Sequence, residues 1–328
     1  MAPTTTLVSA RVDHDVVTWT DAFAALGGTV HSLLPDEPLP PSDVCVVHDP
    51  TRIAQELGAI DGTSGIDQLT AIVDRATRAA SSTLIRWRDI VARDLIDLRA
   101  SPWSKVHHVT TTLHARREIE SLGASAQVLP QAFDLDPESG NRHATREALG
   151  FADDAIVLLQ PTRVDERKNA AGAIRFVNEV ARFIRNRPVH LWIRGPVADN
   201  HRNRFDKLVA RADVPVLVAE IERPADAYAA CDAVVFPASW DAFGDVVLEG
   251  VAHRRPVVSA SFPVLAELVA GGIRVLPIDD ATELVKFLAR GESARRAHLD
   301  ATARRARVSY SVEDLPERIA ALLDGARR

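Results

Sequence analysis

Asp241 and Glu249 are separated by seven residues, Phe243, Gly244 and Asp245 among them, and an apolar helical pattern begins there. The run 233–239 before them reads as a buried strand ending in a loop. Strand, loop and helix start place free backbone N–H groups at the C-terminal edge of a parallel sheet, where anions bind. A diphosphate on those amides, with a sugar hydroxyl at each carboxylate, would engage all of these groups. An ordinary strand–helix unit with two surface acids is the simpler reading, and the spacing alone leaves both open.

A second pattern adds cations. The apolar run 155–161 leads into Thr162 and Arg163, then Lys168 and Asn169, with a helix expected from about Ala170. Arg163 and Lys168 thus sit on a loop at a strand's C-terminal end. They can offer one diphosphate a planar fork and a point charge. Alone, this is also what a polar surface loop looks like.

Together, in this order and about 80 residues apart, the two patterns resemble the family-4 retaining glycosyltransferases of the GT-B fold. That family carries an Arg-x4-Lys loop, then a Pro-Ser-x-x-Glu-Gly-Phe-Gly segment with a Glu-x7-Glu spacing, then a Gly/Arg-Pro-Val-Val strand. Here the matching residues are Arg163 and Lys168, then Pro237, Ser239, Asp241, Phe243, Gly244 and Glu249, then Arg255 and Pro256. The stretch 191–195 resembles the family's second strand ending in a glycine, Gly195. The stretch 228–237 resembles its helix-to-strand step. The resemblance covers 150–310 well, 105–150 moderately and 1–104 poorly.

The resemblance implies an α/β protein of GT-B type, with two Rossmann-like doubly wound parallel-sheet domains and a cleft between them. An acceptor-side domain is expected over 1–133, a linker over 134–152 and a nucleotide-sugar domain over 153–310. The last helix, 311–328, is expected to pack back on the first domain. The implied reaction moves a hexose from a nucleotide-diphospho-sugar to a hydroxyl acceptor with retention, without a metal or other cofactor. The leaving diphosphate would be stabilised by Arg163, Lys168 and the amides of Phe243, Gly244 and Asp245, each such donor contributing about 2–4 kcal/mol. Glu249 matches the family residue that binds ribose hydroxyls. Asp241 matches the family glutamate on the donor hexose, one methylene shorter. Asn169, Gly195 and Ile221 fall on the donor side, with Asp245 read as the helix cap. On the acceptor side the candidates are His48, equally readable as a core or capping histidine, and Arg88, which replaces a family histidine. Within the same fold the alternatives are a non-catalytic sugar-nucleotide-binding subunit and a phosphorylase-like or epimerase-like enzyme.

Composition sets the frame. The chain has 328 residues, 46% hydrophobic and 26% charged, with a formal net charge of −6, room for two ordinary domains. The negative balance argues against nucleic-acid binding. Residues 1–74 carry eleven acids and two arginines, whereas 75–117 carry eight arginines and Lys105 against three acids. That basic block reads as a solvated helix face or, alternatively, as a peripheral contact with anionic membrane. Cys45 and Cys231 are isolated in apolar contexts, as expected of buried thiols in a reducing cytoplasm. The start of the chain lacks signal-peptide features, and no run has the ~20 apolar residues of a membrane span. The Asp-x-Asp pairs, Asp13 with Asp15 and Asp134 with Asp136, fall before a helix and in the linker, and neither reads as a metal site.

The elements that must position these groups alternate between strand and helix. Strands are expected near 5–10, 29–34, 43–48, 82–86, 105–110 and 127–130. After the linker they recur near 155–161, 188–193, 215–219, 233–237, 256–260 and 273–276. Helices are expected at 17–26, 66–80, 87–98, 113–122, 170–185, 201–211, 224–231, 281–290 and 293–306, and from about 312.

Overall fold

The computed structural model describes residues 4–61, 65–88 and 96–326. The chain divides into two compact units, Met1–Ala132 with Tyr310–Arg328, and Phe133–Ser309. Each holds a six-stranded sheet in which every strand pairing is parallel.

The first unit runs β1 (Thr5–Val8), α1 (His14–Ala25), β2 (Val30–Leu33), β3 (Ser42–His48), α2 (Pro50–Asp61), α3 (Gly65–Ala79), β4 (Ala80–Trp87), β5 (His107–Thr110), α4 (Leu113–Ser121) and β6 (Ala126–Val128). Strand order is β2-β1-β3-β4-β5-β6. The central strands are apolar on both faces, as a doubly covered parallel sheet requires. Val44, Val46 and Leu84 pack with Trp19 and Phe23 on one face. Cys45, Val47 and Ile85 pack with Leu69, Val73 and Trp103 on the other. Helix starts follow side-chain chemistry: Asp13 caps α1 by accepting from the Val16 N–H, and Thr112 caps α4 by accepting from the Ala115 N–H.

The second unit runs α5 (Arg142–Ala148), β7 (Ile156–Gln160), α6 (Ala170–Phe183), β8 (Val189–Ile193), α7 (Arg202–Val209), β9 (Val216–Val218), α8 (Pro224–Ala230), β10 (Ala233–Phe236), α9 (Asp245–Ala252), β11 (Val257–Ser259), α10 (Pro263–Ala270), β12 (Leu276–Pro277), α11 (Ala281–Leu288) and α12 (Glu292–Tyr310). Strand order is β12-β11-β10-β7-β8-β9. Leu158, Leu191 and Val235 pack against Ile174, Val177 and Leu284 of α6 and α11. The chain then returns to the first unit as α13 (Leu315–Ala326), whose Leu315, Ile319, Leu322 and Leu323 join the cluster around Trp19.

Several elements depart from the sequence reading. The helix expected at 87–98 is not formed where it is described: Trp87 closes β4, and residues 96–100 are loop and turn. Residues 89–95 of that stretch lie outside the described residues. Trp87 is drawn into the sheet because its ring lies buried beside Trp103, and its indole N–H donates to His108. Helices α2 and α10 were not expected, since each starts at a proline that reads first as a chain break. The strand expected at 273–276 forms at 276–277, and the one expected from Lys105 starts at His107. The stretch 134–152 folds into the second unit through α5. There Arg142 and Arg146 both pair with Asp232 at 2.7 Å. The basic block 75–117 is not a continuous charged face among its described residues. Arg86 is buried, and Arg78 and Arg116 pair with Asp74 and Glu120.

His108 illustrates how burial sets a charge state. The Trp87 indole donates to its Nδ1 at 3.1 Å, so its Nε2 carries the proton and faces the Trp103 carbonyl at 3.2 Å. Burial, with His107 adding to it and the Trp103 carbonyl opposing, lowers this imidazole to about 4. A depressed histidine stabilises the fold above its unfolded pKa, ~6.5. That stability is lost as pH falls toward the folded value, about 3 kcal/mol in all. The imidazole C–H resonance of His108 is therefore expected to titrate near pH 4, with unfolding free energy falling from pH 6.5 downward. A titration midpoint above pH 6 would contradict the buried donor–acceptor pair.

Candidate functional site

The loop between β7 and α6 is held by its own side chains. Gln160, wholly buried at the end of β7, donates its amide to Thr162 Oγ1 at 3.2 Å and to the Lys168 carbonyl at 3.3 Å. Asp165 accepts from Arg163 Nε at 2.6 Å and from the Lys168 N–H at 2.9 Å. Burial works to raise this carboxyl, but those two donors and their charges hold it below the usual carboxylate range. Asn169 takes a left-handed backbone with φ 49° and caps α6, accepting from the Gly172 N–H at 3.1 Å. Its amide donates to the Pro237 carbonyl at 3.0 Å, fastening this loop to the exit of β10. Asp165 and Gln160 escaped the sequence reading. The only signal for Asp165 was its place three residues before Lys168, the spacing of an Asx turn.

Gly195, after β8, lies directly behind this loop. A Cβ there would meet the Arg163 backbone N at 2.4 Å and its Cα at 2.6 Å. Both are backbone atoms, so the collision can be relieved only by moving the loop. Gly195→Ala is therefore expected to destabilise the second unit by about 1–3 kcal/mol. It should also weaken nucleotide binding on the order of tenfold, since misplacing a positioning group is costly. Urea unfolding and a nucleotide titration check both, and unchanged nucleotide affinity would refute the second.

The loop after β10 brings the predicted acid to the predicted lysine. Lys168 Nζ donates to Asp241 Oδ2 at 3.0 Å and stands 5.3 Å from the Phe236 ring centre. Asp241 Oδ1 accepts from the Phe243 N–H at 3.2 Å and the Gly244 N–H at 2.7 Å. One carboxylate thus receives an ammonium and two amides from two loops at the C-terminal edge of one sheet. This corrects the capping assignment. Gly244, at φ 87°, is the N-cap of α9 with no side-chain cap bond, Asp245 is the first residue of the helix, and Asp241 holds the turn just ahead of it. Only a residue without Cβ takes that φ at no steric cost, which is why glycine stands there. The Phe243 ring is buried and stacks on Phe133 at 5.8 Å.

Glu249 lies in the second turn of α9. The buried Tyr228 hydroxyl donates to its Oε2, and the Tyr228 ring stacks on His253 at 4.5 Å. Burial, the largest cause, raises the Glu249 carboxyl, Asp245 and Asp241 adding to it and the Tyr228 hydroxyl and Arg194 opposing. Burial and the Glu249 charge keep Tyr228 a phenol. Tyr228 was legible in the sequence only as part of a helix. The Ile221 carbonyl accepts from Arg194 Nη2 at 3.5 Å, next to β9.

In the first unit, His48 and Arg88 meet at Asp15. His48 Nε2 is 3.1 Å, Arg86 Nη1 2.5 Å and Arg88 Nε 3.9 Å from Asp15 Oδ2. The parallel register of β3 and β4 sets His48 beside Arg86. Arg86 Nη1 also faces His48 Nε2 at 2.7 Å, and a guanidinium can only donate, so that nitrogen presents its lone pair. Burial first, then the Arg86 charge, hold His48 below the usual imidazole range against the pull of Asp15. His48 is 2% exposed, a core histidine, and Arg88 is 19% exposed. Asp15 and Arg86 were not among the residues expected at a site.

No group of three or more His, Cys, Asp or Glu among the described residues has a metal-holding arrangement. No helix among them is long and apolar enough to cross a membrane.

Comparison with known proteins bears on the family and the fold. Residues 156–290 match the family model described as glycosyl transferases group 1. A D-inositol 3-phosphate glycosyltransferase of Geodermatophilus obscurus is 30% identical over 222 residues, 62% of this chain and 48% of that protein. The mannosylglucosylglycerate synthase of Thermotoga maritima is 24% identical over 214 residues, 57% of this chain and 50% of that protein. The chain thus spans about half the length of these relatives. Among solved structures, Anabaena HepE in complex with UDP and glucose superposes with a TM-score of 0.70 at 14% identity, covering 98% of this chain and 100% of that one. Residues 156–290 therefore belong to the group 1 glycosyl transferases, and the two parallel-sheet units that make up the chain are those of the GT-B fold.

Proposed function

We propose that this protein is a retaining glycosyltransferase that moves a hexose from a nucleotide-diphospho-sugar to a hydroxyl acceptor. One observation carries the reading: Lys168 Nζ and the N–H groups of Phe243 and Gly244 converge on one anionic group, the Asp241 carboxylate. That carboxylate stands in for phosphate oxygens. When a donor binds, its diphosphate takes these three donors, with Arg163 reaching in from the same loop. Asp241 is then released toward a hexose hydroxyl, and Glu249 accepts from the ribose diol. Negative charge builds on the diphosphate as the glycosidic bond breaks. Preorganised donors of this kind stabilise it without waiting for solvent to reorganise. Two side-chain cations supply the positive charge, so the proposal requires no metal. A leaving phosphate oxygen takes the acceptor's proton on the face it departs from, which retains the anomeric configuration.

The relatives support this reading by their names, and the HepE structures by holding UDP or UDP-glucose. The acceptor side falls to the first unit, with Arg88 the partly exposed candidate. His48 would act there only through Asp15 and Arg86. Contact with anionic membrane through the basic block would be peripheral.

Thermal unfolding with UDP, GDP, ADP and dTDP, with and without magnesium, tests the donor site. One nucleotide is expected to raise the midpoint without magnesium, and Arg163→Ala and Glu249→Gln to abolish most of the rise. NMR of the transfer product is expected to show the donor's anomeric configuration. An inverted product, or a strict magnesium requirement, would overturn the mechanism.

A further inference from the structure

At the opposite, N-terminal edge of the second unit's sheet lies an open recess of about 790 Å³. It is walled by the segments leading into β10 and β11 and by the first turns of α12. Its charged groups divide into two sets. Arg142 is committed to Asp232 and to the carbonyls of Ala229, Ala230 and Cys231. Arg254 is committed to Asp136, Asp300 and the Leu135 carbonyl. Asp232 and Asp136 also pair with Arg146 and Arg307, and these groups serve the fold.

The second set faces the recess with donors left over. Arg255 gives one Nη2 hydrogen bond to the Ala229 carbonyl at 3.2 Å, while its buried Nε–H has no acceptor among the described residues. Arg295 makes only a 3.4 Å contact with the Leu288 carbonyl. Arg296 is exposed on the next position of α12. Glu292 is the one lining acid outside the paired set, and the lining as a whole holds five arginines against four acids, a surplus of one positive charge. An anion in the recess would meet the guanidinium ends of Arg255, Arg295 and Arg296, three forks of the geometry that matches phosphate oxygens.

We infer that this recess is a binding site for a phosphorylated small molecule, separate from the donor site. Arg255 grips the phosphate from the floor and Arg295 and Arg296 from the α12 wall. The recess is several times the volume of a phosphate group, which leaves room for the remainder of a metabolite such as a hexose. Its far wall is His253, whose ring stacks on Tyr228, the residue that holds Glu249. Occupancy is therefore positioned to be felt at the donor site through one ring pair.

The test uses the full chain carrying Arg163→Ala and Lys168→Ala, so that donor-site binding does not contribute. Titration calorimetry at low salt follows pyrophosphate in one arm and glucose 6-phosphate in the other. Saturable binding with one-to-one stoichiometry is expected, weakened at least tenfold by adding Arg295→Gln and Arg296→Gln. Both residues lie on the surface of α12, so these variants should fold, which circular dichroism verifies. Stronger binding of glucose 6-phosphate than of pyrophosphate identifies a sugar-phosphate site, and comparable binding a site that reads phosphate alone. Absence of saturable binding, or affinity unchanged by the two α12 substitutions, overturns the inference. Neither result depends on whether the protein transfers a sugar.

Discussion

Lys168→Ala is expected to lower kcat/KM for sugar transfer by about 10²–10³-fold, the loss typical of removing one preorganised charge-stabilising donor. The ammonium is placed by its surroundings. The Lys168 backbone is held from both sides, its N–H by Asp165 and its carbonyl by Gln160. Asn169 ties the next residue to the Pro237 carbonyl. The substitution deletes the cation and leaves this scaffold intact. Stability should change little, because the Lys168–Asp241 pair is 23% and 15% exposed and partly solvated pairs contribute about 1 kcal/mol or less. Lys168→Arg should recover only part of the loss, since a planar fork does not replace a point charge at 3.0 Å from a carboxylate. Arg163→Ala should cost less, roughly tenfold or more on the same argument, because that side chain is 68% exposed and reaches the site less directly. Steady-state kinetics with the donor named by the nucleotide screen, alongside a thermal scan, separates catalysis from folding. A Lys168→Ala enzyme within threefold of wild type would remove the lysine from the mechanism.

Asp15→Ala is expected to destabilise the first unit by about 3–5 kcal/mol, the usual cost of stranding one partner of a buried ion pair. Arg86 is 1% exposed and bonds Asp15 through two nitrogens, at 2.5 and 3.3 Å. Without Asp15, Arg86 retains the lone pair of His48 Nε2 and the face of Trp19, 4.8 Å away. Neither carries a negative charge. For a unit of this size the loss corresponds to roughly 10 °C in Tm. Replacing both partners, Asp15→Leu with Arg86→Met, should recover most of it, since a packed apolar pair avoids the desolvation cost. Burial acts to raise the Asp15 carboxyl, but the charge of Arg86, with that of Arg88 adding, holds it far below the usual range. A depressed carboxylate contributes stability above its unfolded pKa, ~3.9, and loses it as pH falls below that value. Below about pH 4 the gap between the wild type and Asp15→Ala should therefore begin to narrow, with most of it still present at pH 3, where the folded carboxyl is ionised. Denaturant unfolding at pH 7 and pH 3 checks both statements, and a loss under 1 kcal/mol at pH 7 would refute the buried-pair account.

Much of the architecture is legible in the chain. Runs such as 43–48, 155–161 and 233–237 are short, apolar through consecutive central residues and separated by helical periods. That pattern belongs to a parallel sheet covered on both faces. The misses have local causes. A helical pattern at 87–98 competed with a tertiary hydrogen bond from Trp87 to His108, and the bond holds Trp87 in β4. The prolines opening α2 and α10 sit at first helical positions, where their lack of an N–H is harmless.

The sequence by itself determined the alternation of strand and helix, the two loops at strand C-termini and the residues placed on them. These depend on periodicity and turn chemistry within a few neighbouring residues. Only the tertiary structure decided which charges meet. Lys168 and Asp241 are 73 residues apart, and Asp15 and Arg86 are 71 apart. Each pair depends on strand order and register, which no local propensity encodes. The same dependence set the Lys168 ammonium on the Asp241 carboxylate, across from the Phe243 and Gly244 amides.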